Sequence, residues 1–131
     1  RQMIEEELLD YARIDLCIVG GLTEARKVAN WCETHYIKIV PHNPLGPVSA
    51  AACAHLDIAT DNFAVQEGGL VGRPVMEDLF PVQLPYEAGC LLLPDAPGLG
   101  MEFNEEAAAS YDFQWLSGPQ LRREDGSFTN W

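Results

Sequence analysis

Basic residues are scarce in this chain. It carries 8 Lys and Arg residues against 20 Asp and Glu residues, and its formal net charge is −12 at pH 7. Proteins that bind nucleic acids or anionic membranes need clustered Lys and Arg side chains. The sequence contains no such cluster. We therefore expect neither a nucleic acid nor a membrane as a partner, although a bound divalent cation would still permit an anionic small-molecule substrate.

Long apolar runs are also lacking. No segment of the sequence approaches the ~20 consecutive apolar residues that a membrane-spanning helix requires, and no signal peptide is recognisable. Hydrophobic residues nevertheless make up 47% of the chain, which is enough for a packed core. We expect a folded, cytoplasmic protein.

Closely spaced cysteine pairs do not occur either. The four cysteines are far apart, with neither a C-x-x-C pair nor a histidine at zinc-finger spacing; they are Cys17, Cys32, Cys53 and Cys90. A disulfide framework or a structural zinc site would be recognised by paired spacings. We expect free, buried thiols.

The most informative segment that is present surrounds His42. Tyr36 to Val40 is a short apolar run typical of a buried strand, and Val48 to Ala59 has helical periodicity. The proline and glycine residues between these segments predict a turn. His42 is therefore expected at the carboxyl end of a strand in a strand-turn-helix unit, which is where α/β barrels carry their catalytic groups.

Two carboxyl groups occupy similar places in the neighbouring units. Asp15 lies in the strand-like run Ile14 to Val19, and Glu67 closes the run Phe63 to Glu67. Apolar strands separated by short helices predict parallel pairing, so three successive strands would each present one titratable group. A carboxylate beside an imidazole sets its tautomer, and a second carboxyl group can hydrogen-bond a substrate. A solvated or capping role for a lone loop histidine stays open from spacing alone.

Helical periodicity marks further segments. An acidic run from Ile4 to Ala12 and a weaker one from Asn104 to Ser110 are predicted helices. Thr23 is a candidate N-cap for the helix between the first two strands. The predicted buried face of that helix consists of Ala25, Val28, Ala29 and Cys32. The predicted face of the helix after His42 consists of Val48, Ala51, Ala52, His55, Leu56 and Ala59, which makes His55 a packing residue rather than a metal ligand.

Several motifs occur in a specific order along the chain. They are Gly20-Gly21-Leu22-Thr23-Glu24, then Pro41-His42-Asn43-Pro44-Leu45-Gly46-Pro47, then Asn62-Phe63-Ala64-Val65-Gln66-Glu67, followed by Pro97-Gly98-Leu99-Gly100 and the tail from Leu121 to Trp131. Together they resemble the carboxyl-terminal part of an enolase-superfamily protein of the mandelate racemase and muconate lactonizing type. The acid-sugar dehydratases of the galactonate dehydratase type are the most similar group.

The resemblance implies a fold class and a domain organisation. The fold would be α/β, the carboxyl-terminal part of a (β/α)7β barrel, with residues 1–95 in the barrel and residues 96–131 in an irregular segment packing back toward the barrel and a capping domain. A complete barrel needs roughly 250 residues, so the 131 residues would be part of a longer chain. Its partners would then be the remainder of the same enzyme and further copies in a homo-oligomer.

The resemblance also implies a reaction. A Mg²⁺ ion, held by three carboxylates outside this segment, would bind the carboxylate of a sugar acid such as galactonate or gluconate. His42 would remove the proton alpha to that carboxylate, Asp15 would orient His42, and Glu67 would bind a substrate carboxylate oxygen and support the enediolate. Loss of water then yields a 2-keto-3-deoxy acid. Asn43 stands where some relatives carry cysteine, so the sugar is left open.

Two alternatives to this lyase remain. A racemase or epimerase of the same superfamily would use a second acid-base residue outside this segment. A non-catalytic relative, or a fragment with an interaction role, would lack the metal carboxylates.

Overall fold

Helices and two-residue strands follow one another in the first half of the chain, where α2 and α3 are consecutive. The computed structural model describes residues 1–68, 75–93, 95–115 and 121–129. In chain order the elements are α1 (Gln2–Glu5), β1 (Tyr11–Ala12), α2 (Leu16–Val19), α3 (Gly21–Thr34), β2 (Lys38–Ile39), α4 (Pro47–Ile58), β3 (Tyr86–Glu87), β4 (Cys90–Leu91) and α5 (Glu105–Ala108). Within the described part of the chain, no helix has the length and hydropathy needed to cross a bilayer.

The first half contains the predicted parallel arrangement. β1 pairs with β2 in parallel, with Tyr11 opposite Lys38 and Ala12 opposite Ile39. On its other side Ile39 forms a parallel bridge with Phe63. The Ile39 N–H donates to the carbonyl of Asn62, and the Ala64 N–H donates to the carbonyl of Ile39. β2 is therefore the central strand of three parallel segments, and the α/β prediction is confirmed.

The core lies between these strands and the two long helices. The predicted face of α3 is confirmed, because Ala25, Ala29 and Cys32 are buried. Alanine at two of these positions lets the helix backbone approach the sheet closely. The buried cluster also includes Ile4, Ala12, Ile14, Leu16, Ile37, Ile39, Cys53 and Leu56.

The predicted strand from Ile14 to Val19 is wrong. The strand is shorter and earlier, at β1, and residues 16–19 form the helical turn α2. The Asp15 side chain is the reason, because it caps this turn by accepting a hydrogen bond from the Cys17 N–H at 2.8 Å. An apolar run of four residues reads equally well as a buried strand or as a buried turn of helix.

Two helix boundaries also differ from the prediction. α1 ends at Glu5 rather than continuing to Ala12, and Glu7 has a φ of 53°, which interrupts the helix. α3 begins at Gly21, so Thr23 lies inside it and Gly20 is the N-cap. Gly20 has a φ of 112° and is also the C-cap of α2. One left-handed glycine therefore ends one helix and begins the next.

The face of α4 is rotated relative to the prediction. Val48 is 47% exposed, whereas Ser49 and Cys53 are buried together with Ala51 and Leu56. His55 is half-buried, in agreement with a packing role. Apolar residues occupy most of the circumference of α4, so hydrophobic periodicity does not select the face that is buried.

The cysteines divide into two classes. Cys32 and Cys53 are buried, but Cys17 and Cys90 are exposed, so the expectation of burial is wrong for the latter two. All four are free thiols, as predicted. Burial raises the pKa of the Cys53 thiol to about 12, which keeps it protonated.

Among residues 75–93, 95–115 and 121–129 there is little regular structure, as the proline and glycine content of the second half predicts. β3 and β4 form an antiparallel hairpin, and α5 is capped by the Asn104 side chain, which confirms the predicted helix from Asn104 to Ser110 in shorter form. The tail forms a bridge between Arg122 and Phe128. Asn130 and Trp131 of the tail motif lie outside the described residues, and the boundary between residues 95 and 96 stays a prediction.

Replacement of Gly20 tests the shared cap between α2 and α3. Gly20→Ala should destabilise the protein by about 1–2 kcal/mol, because the left-handed conformation penalises a Cβ atom, and the added Cβ would lie 2.9 Å from Cγ of Glu24. Gly20→Asn is the matched comparison and should lose less, since Asn enters the left-handed region more readily. Urea unfolding measures both, and equal stability of Gly20→Ala and the parent would contradict this account.

Candidate active site

Three titratable side chains meet at one edge of the parallel strands. Beyond the regular pairing of β1 with β2, Asp15 and His42 form a further parallel bridge, and the His42 N–H donates to the carbonyl of Ile14 at 2.8 Å. Glu67 follows the Phe63 bridge on the other side of β2. Because the three segments run parallel, their carboxyl ends lie at the same edge. The structure thus brings together the three residues singled out from the sequence.

Asp15 and His42 form a direct hydrogen bond. The distance between Oδ2 of Asp15 and Nδ1 of His42 is 2.9 Å, and the Asp15 side chain is only 11% exposed. This hydrogen bond is the largest of the effects that lower the pKa of Asp15, and the Cys17 N–H acts in the same direction. An ionised carboxylate only accepts hydrogen bonds, so the Nδ1 position carries the proton. Nε2 of the neutral imidazole is then the free base.

Glu67 lies on the Nε2 side of His42. Oε2 of Glu67 is 3.8 Å from Nε2 and accepts a hydrogen bond from the Asn43 N–H at 2.8 Å. Oε1 pairs with the guanidinium of Arg13. The Asn43 N–H is the main cause of the lowered pKa of Glu67, and the Arg13 hydrogen bond adds to it. Glu67 is therefore ionised at neutral pH.

These contacts define what the cluster can do. His42 is partly open to solvent, with its side chain 33% exposed. An oriented imidazole with a free, accessible nitrogen can take a proton from a bound molecule. The nearby Glu67 carboxylate can receive or relay a proton at the same place. This arrangement supports general acid-base chemistry.

Arg13 and Asn43 were missed as site residues in the sequence. Arg13 stands two residues before Asp15, and side chains at i and i+2 of an extended segment share a face, so that spacing was the available signal. The Asn43 contribution comes from its backbone N–H, for which no side-chain pattern exists. The other histidines lie elsewhere: Nδ1 of His35 is 3.9 Å from Glu7, and His55 is on α4.

The site does not have the composition of a Mg²⁺ centre. Mg²⁺ prefers oxygen ligands in near-octahedral geometry, whereas both oxygens of Glu67 already accept hydrogen bonds and Arg13 places a positive charge there. Over residues 1–68, 75–93, 95–115 and 121–129, no three His, Cys, Asp or Glu side chains gather as a metal-binding group.

Comparison with known proteins identifies the family. The family described as "Enolase C-terminal domain-like" matches residues 1–107. The chain belongs to this family. The enolase C-terminal domain-like fold accounts for the parallel strands with helices between them, and the match includes all three residues of the Asp15, His42 and Glu67 cluster.

Relatives of this enolase-family chain include named dehydratases. A D-mannonate dehydratase from Caulobacter sp. (strain K31) is 35% identical over 133 residues, covering 100% of this chain and 33% of the relative. A D-galactonate dehydratase family member from Streptomyces bingchenggensis is 37% identical over 132 residues, covering 98% of this chain and 32% of the relative. The chain thus spans about a third of the length of these curated relatives.

Solved structures of enolase-superfamily proteins share the fold. An enolase from Pantoea ananatis, crystallised with D-gluconate and Mg, has a TM-score of 0.78 at 30% identity, covering 86% of this chain and 28% of that one. An enolase from Agrobacterium radiobacter, bound to Na and L-malate, has a TM-score of 0.86 at 28% identity, covering 97% of this chain and 36% of that one.

The lowered pKa of Asp15 predicts a pH dependence of stability. A carboxyl group with a pKa below its ordinary value of 3.8 stabilises the fold above that value, and the contribution is lost as the pH falls through the folded-state pKa. Asp15→Asn should therefore be less stable than the parent at pH 7, and the difference should shrink below about pH 4. Urea unfolding between pH 7 and pH 3 measures the difference in free energy of unfolding. Asp61→Asn is the charge-matched control, because Asp61 is exposed. A difference between Asp15→Asn and the parent that does not change with pH would contradict the prediction.

The Arg13 contact predicts a change in the titration of Glu67. In Arg13→Gln the guanidinium charge is lost, so the pKa of Glu67 should rise toward its ordinary value of 4.5. NMR titration of the side-chain carboxyl carbon measures the shift. Arg26→Gln is the control, because Arg26 is exposed on α3 and bonds Asn30 instead. An unchanged Glu67 titration in Arg13→Gln would show that the ion pair does not form in solution.

Proposed function

We propose that this chain is the carboxyl-terminal part of a Mg²⁺-dependent acid-sugar dehydratase. In this proposal residues 1–95 complete a (β/α)7β barrel, and residues 96–131 pack back toward the barrel and a capping domain. The curated relatives support the proposal, because they are named dehydratases and are about three times as long. The observation that carries it is the Asp15, His42 and Glu67 cluster at the carboxyl ends of three parallel segments.

The surface of the described residues supports a larger assembly. Several large apolar side chains are strongly exposed, among them Ile18 at 83%, Phe113 at 86% and Trp115 at 82%. A soluble domain seldom leaves so many such residues open unless another surface covers them. The remainder of the same enzyme is the proposed partner, and further copies in a homo-oligomer would cover additional surface.

His42 is the proposed base. Removal of a proton alpha to a carboxylate is difficult because that proton is weakly acidic, and it requires an oriented base with an accessible lone pair. The hydrogen bond from Nδ1 of His42 to Asp15 provides the orientation and stabilises the imidazolium that forms. Nε2 then receives the C2 proton of the sugar acid and leaves an enediolate.

Glu67 has a more demanding role in the proposal. A carboxyl group donates a hydrogen bond to a substrate carboxylate or enediolate oxygen only when it is protonated. The Asn43 and Arg13 contacts favour the ionised form in the absence of substrate. The proposed role therefore requires that substrate binding protonate Glu67, and Oε2 lies within 3.8 Å of the nitrogen that collects the substrate proton.

Mg²⁺ is the proposed cofactor, with its ligands contributed from outside this chain. When bound, the ion would act as a Lewis acid toward the substrate carboxylate. The substrate class is an aldonate such as galactonate or gluconate. In the proposal an acid from outside this chain protonates the C3 hydroxyl, which leaves as water, and the resulting enol tautomerises to a 2-keto-3-deoxy acid. The names of the relatives and the D-gluconate and Mg in the Pantoea ananatis structure support this class.

Proton exchange tests the proposal. The longer protein that contains this chain should exchange the C2 proton of an aldonate in D₂O with Mg²⁺ and form a 2-keto-3-deoxy acid, both followed by NMR. His42→Asn should slow both by about 10²-fold or more, because the base is lost. His35→Asn, which lies beside Glu7 rather than in the cluster, is the matched control.

Each outcome separates the alternatives. Exchange without elimination in the parent protein would indicate a racemase or epimerase. Neither exchange nor product across aldonic and aldaric acids would overturn the enzyme proposal. Unchanged turnover in His42→Asn would remove His42 from the mechanism.

A further inference from the structure

The Asp15 carboxylate is held from two sides. Oδ2 bonds His42 at 2.9 Å, and Oδ1 accepts the Cys17 N–H at 2.8 Å. A carboxylate is planar and turns about its Cα–Cβ and Cβ–Cγ bonds. The position of the Cys17 backbone therefore helps to decide where Oδ2 points. Displacement of that backbone would change the angle at which Asp15 meets the imidazole.

The backbone of Cys17 belongs to an element that is too short to hold itself in place. α2 has four residues, and a helix of that length is unstable unless tertiary contacts support it. Leu16 is buried and Val19 packs partly against the core, while Ile18 faces solvent. Cys17 adds a contact with α4, because its Sγ lies 3.8 Å from Oγ of Ser49.

Ser49 is a well-placed anchor for this contact. It is 7% exposed and lies in the first turns of α4, the helix that follows the His42 loop. The buried Cys53 lies one helical turn further along the same helix. The contact between Cys17 and Ser49 therefore joins the helix after Asp15 to the helix after His42, and so links the supports of the two hydrogen-bonded residues.

We propose that Cys17 and Ser49 are positioning residues that hold Asp15 in the geometry it needs to orient His42. Neither side chain reaches the imidazole; both act through α2 and the Cys17 N–H. The inference rests on the proposed function for its kinetic consequence, while its structural consequence, the hydrogen bond between Asp15 and His42, is measurable without any substrate.

Paired variants in the longer protein test this role. Ser49→Ala and Cys17→Ala should each lower kcat for C2 proton exchange roughly tenfold with little change in KM, because misplacement of a catalytic group affects the chemical step. Cys17→Ser supplies a hydroxyl donor in place of the thiol and should recover most of the rate. Cys90→Ala and Ser110→Ala are the controls, since Cys90 is an exposed thiol on β4 and Ser110 an exposed hydroxyl after α5. Both should retain parental kinetics.

A second readout does not depend on activity. The Nδ1 proton of His42, labelled with ¹⁵N, should show a downfield NMR resonance in the parent that broadens or shifts upfield in Ser49→Ala and Cys17→Ala. Alkylation of the folded protein with iodoacetamide, with modification of Cys17 verified by mass spectrometry, should have the same effect, whereas the same treatment of Cys17→Ser should leave the resonance unchanged. This test covers variants that fail to fold.

The two readouts separate the proposals. An unchanged Nδ1 resonance in both variants and after alkylation would overturn the positioning role. A changed resonance in a protein without exchange activity would confirm the positioning role and count against the dehydratase. A rate loss equal in Cys17→Ala and Cys17→Ser would contradict the role of the Ser49 contact.

Discussion

The parallel pairing of β1 with β2 is the constraint on which the candidate site depends. The pairing places Tyr11 opposite Lys38 and continues to a bridge between Asp15 and His42, so a carboxylate and an imidazole from distant parts of the chain face each other. A shift of one residue in this register would turn the side chains of one strand to the opposite face. Backbone hydrogen bonds hold that register; they run from the N–H groups of Lys38, Val40 and His42 to the carbonyls of Asp10, Ala12 and Ile14.

Electrostatics then assigns different roles to two similar carboxylates. Asp15 is largely enclosed and bonds the imidazole directly, whereas Glu67 is held by a backbone N–H and an exposed guanidinium. Both have a lowered pKa, for different reasons. The structure thus presents an oriented base next to an ionised carboxylate. That combination suits the proton transfer that the proposed function assigns to His42.

The spacing of apolar residues predicted the buried face correctly where a helix is apolar on one side only. It failed where a segment is apolar on all sides or is very short. The face of α3 was predictable because alanine and cysteine recur at helical spacing opposite charged residues. The segment after Asp15 was mistaken for a strand, because four apolar residues lack the length to distinguish a period of 2 from one of 3.6. The capping by Asp15 decides in favour of a helix, and that side chain serves His42 at the same time. The buried face of α4 was not predictable because apolar residues occupy most of its circumference.

From residue type, spacing and family motifs alone we could predict the α/β class, the parallel strands with helices between them, and Asp15, His42 and Glu67 as candidate site residues. The folded structure was needed to show that these three lie within hydrogen-bond or near-contact distance. It also shows that Arg13 and the Asn43 N–H hold Glu67, and that Cys17 contacts Ser49. These contacts join residues that are separated by 24 to 54 positions in the sequence. The local bond from the Cys17 N–H to Asp15 is the exception. Their geometry follows from strand register and helix packing, which no short stretch of sequence contains.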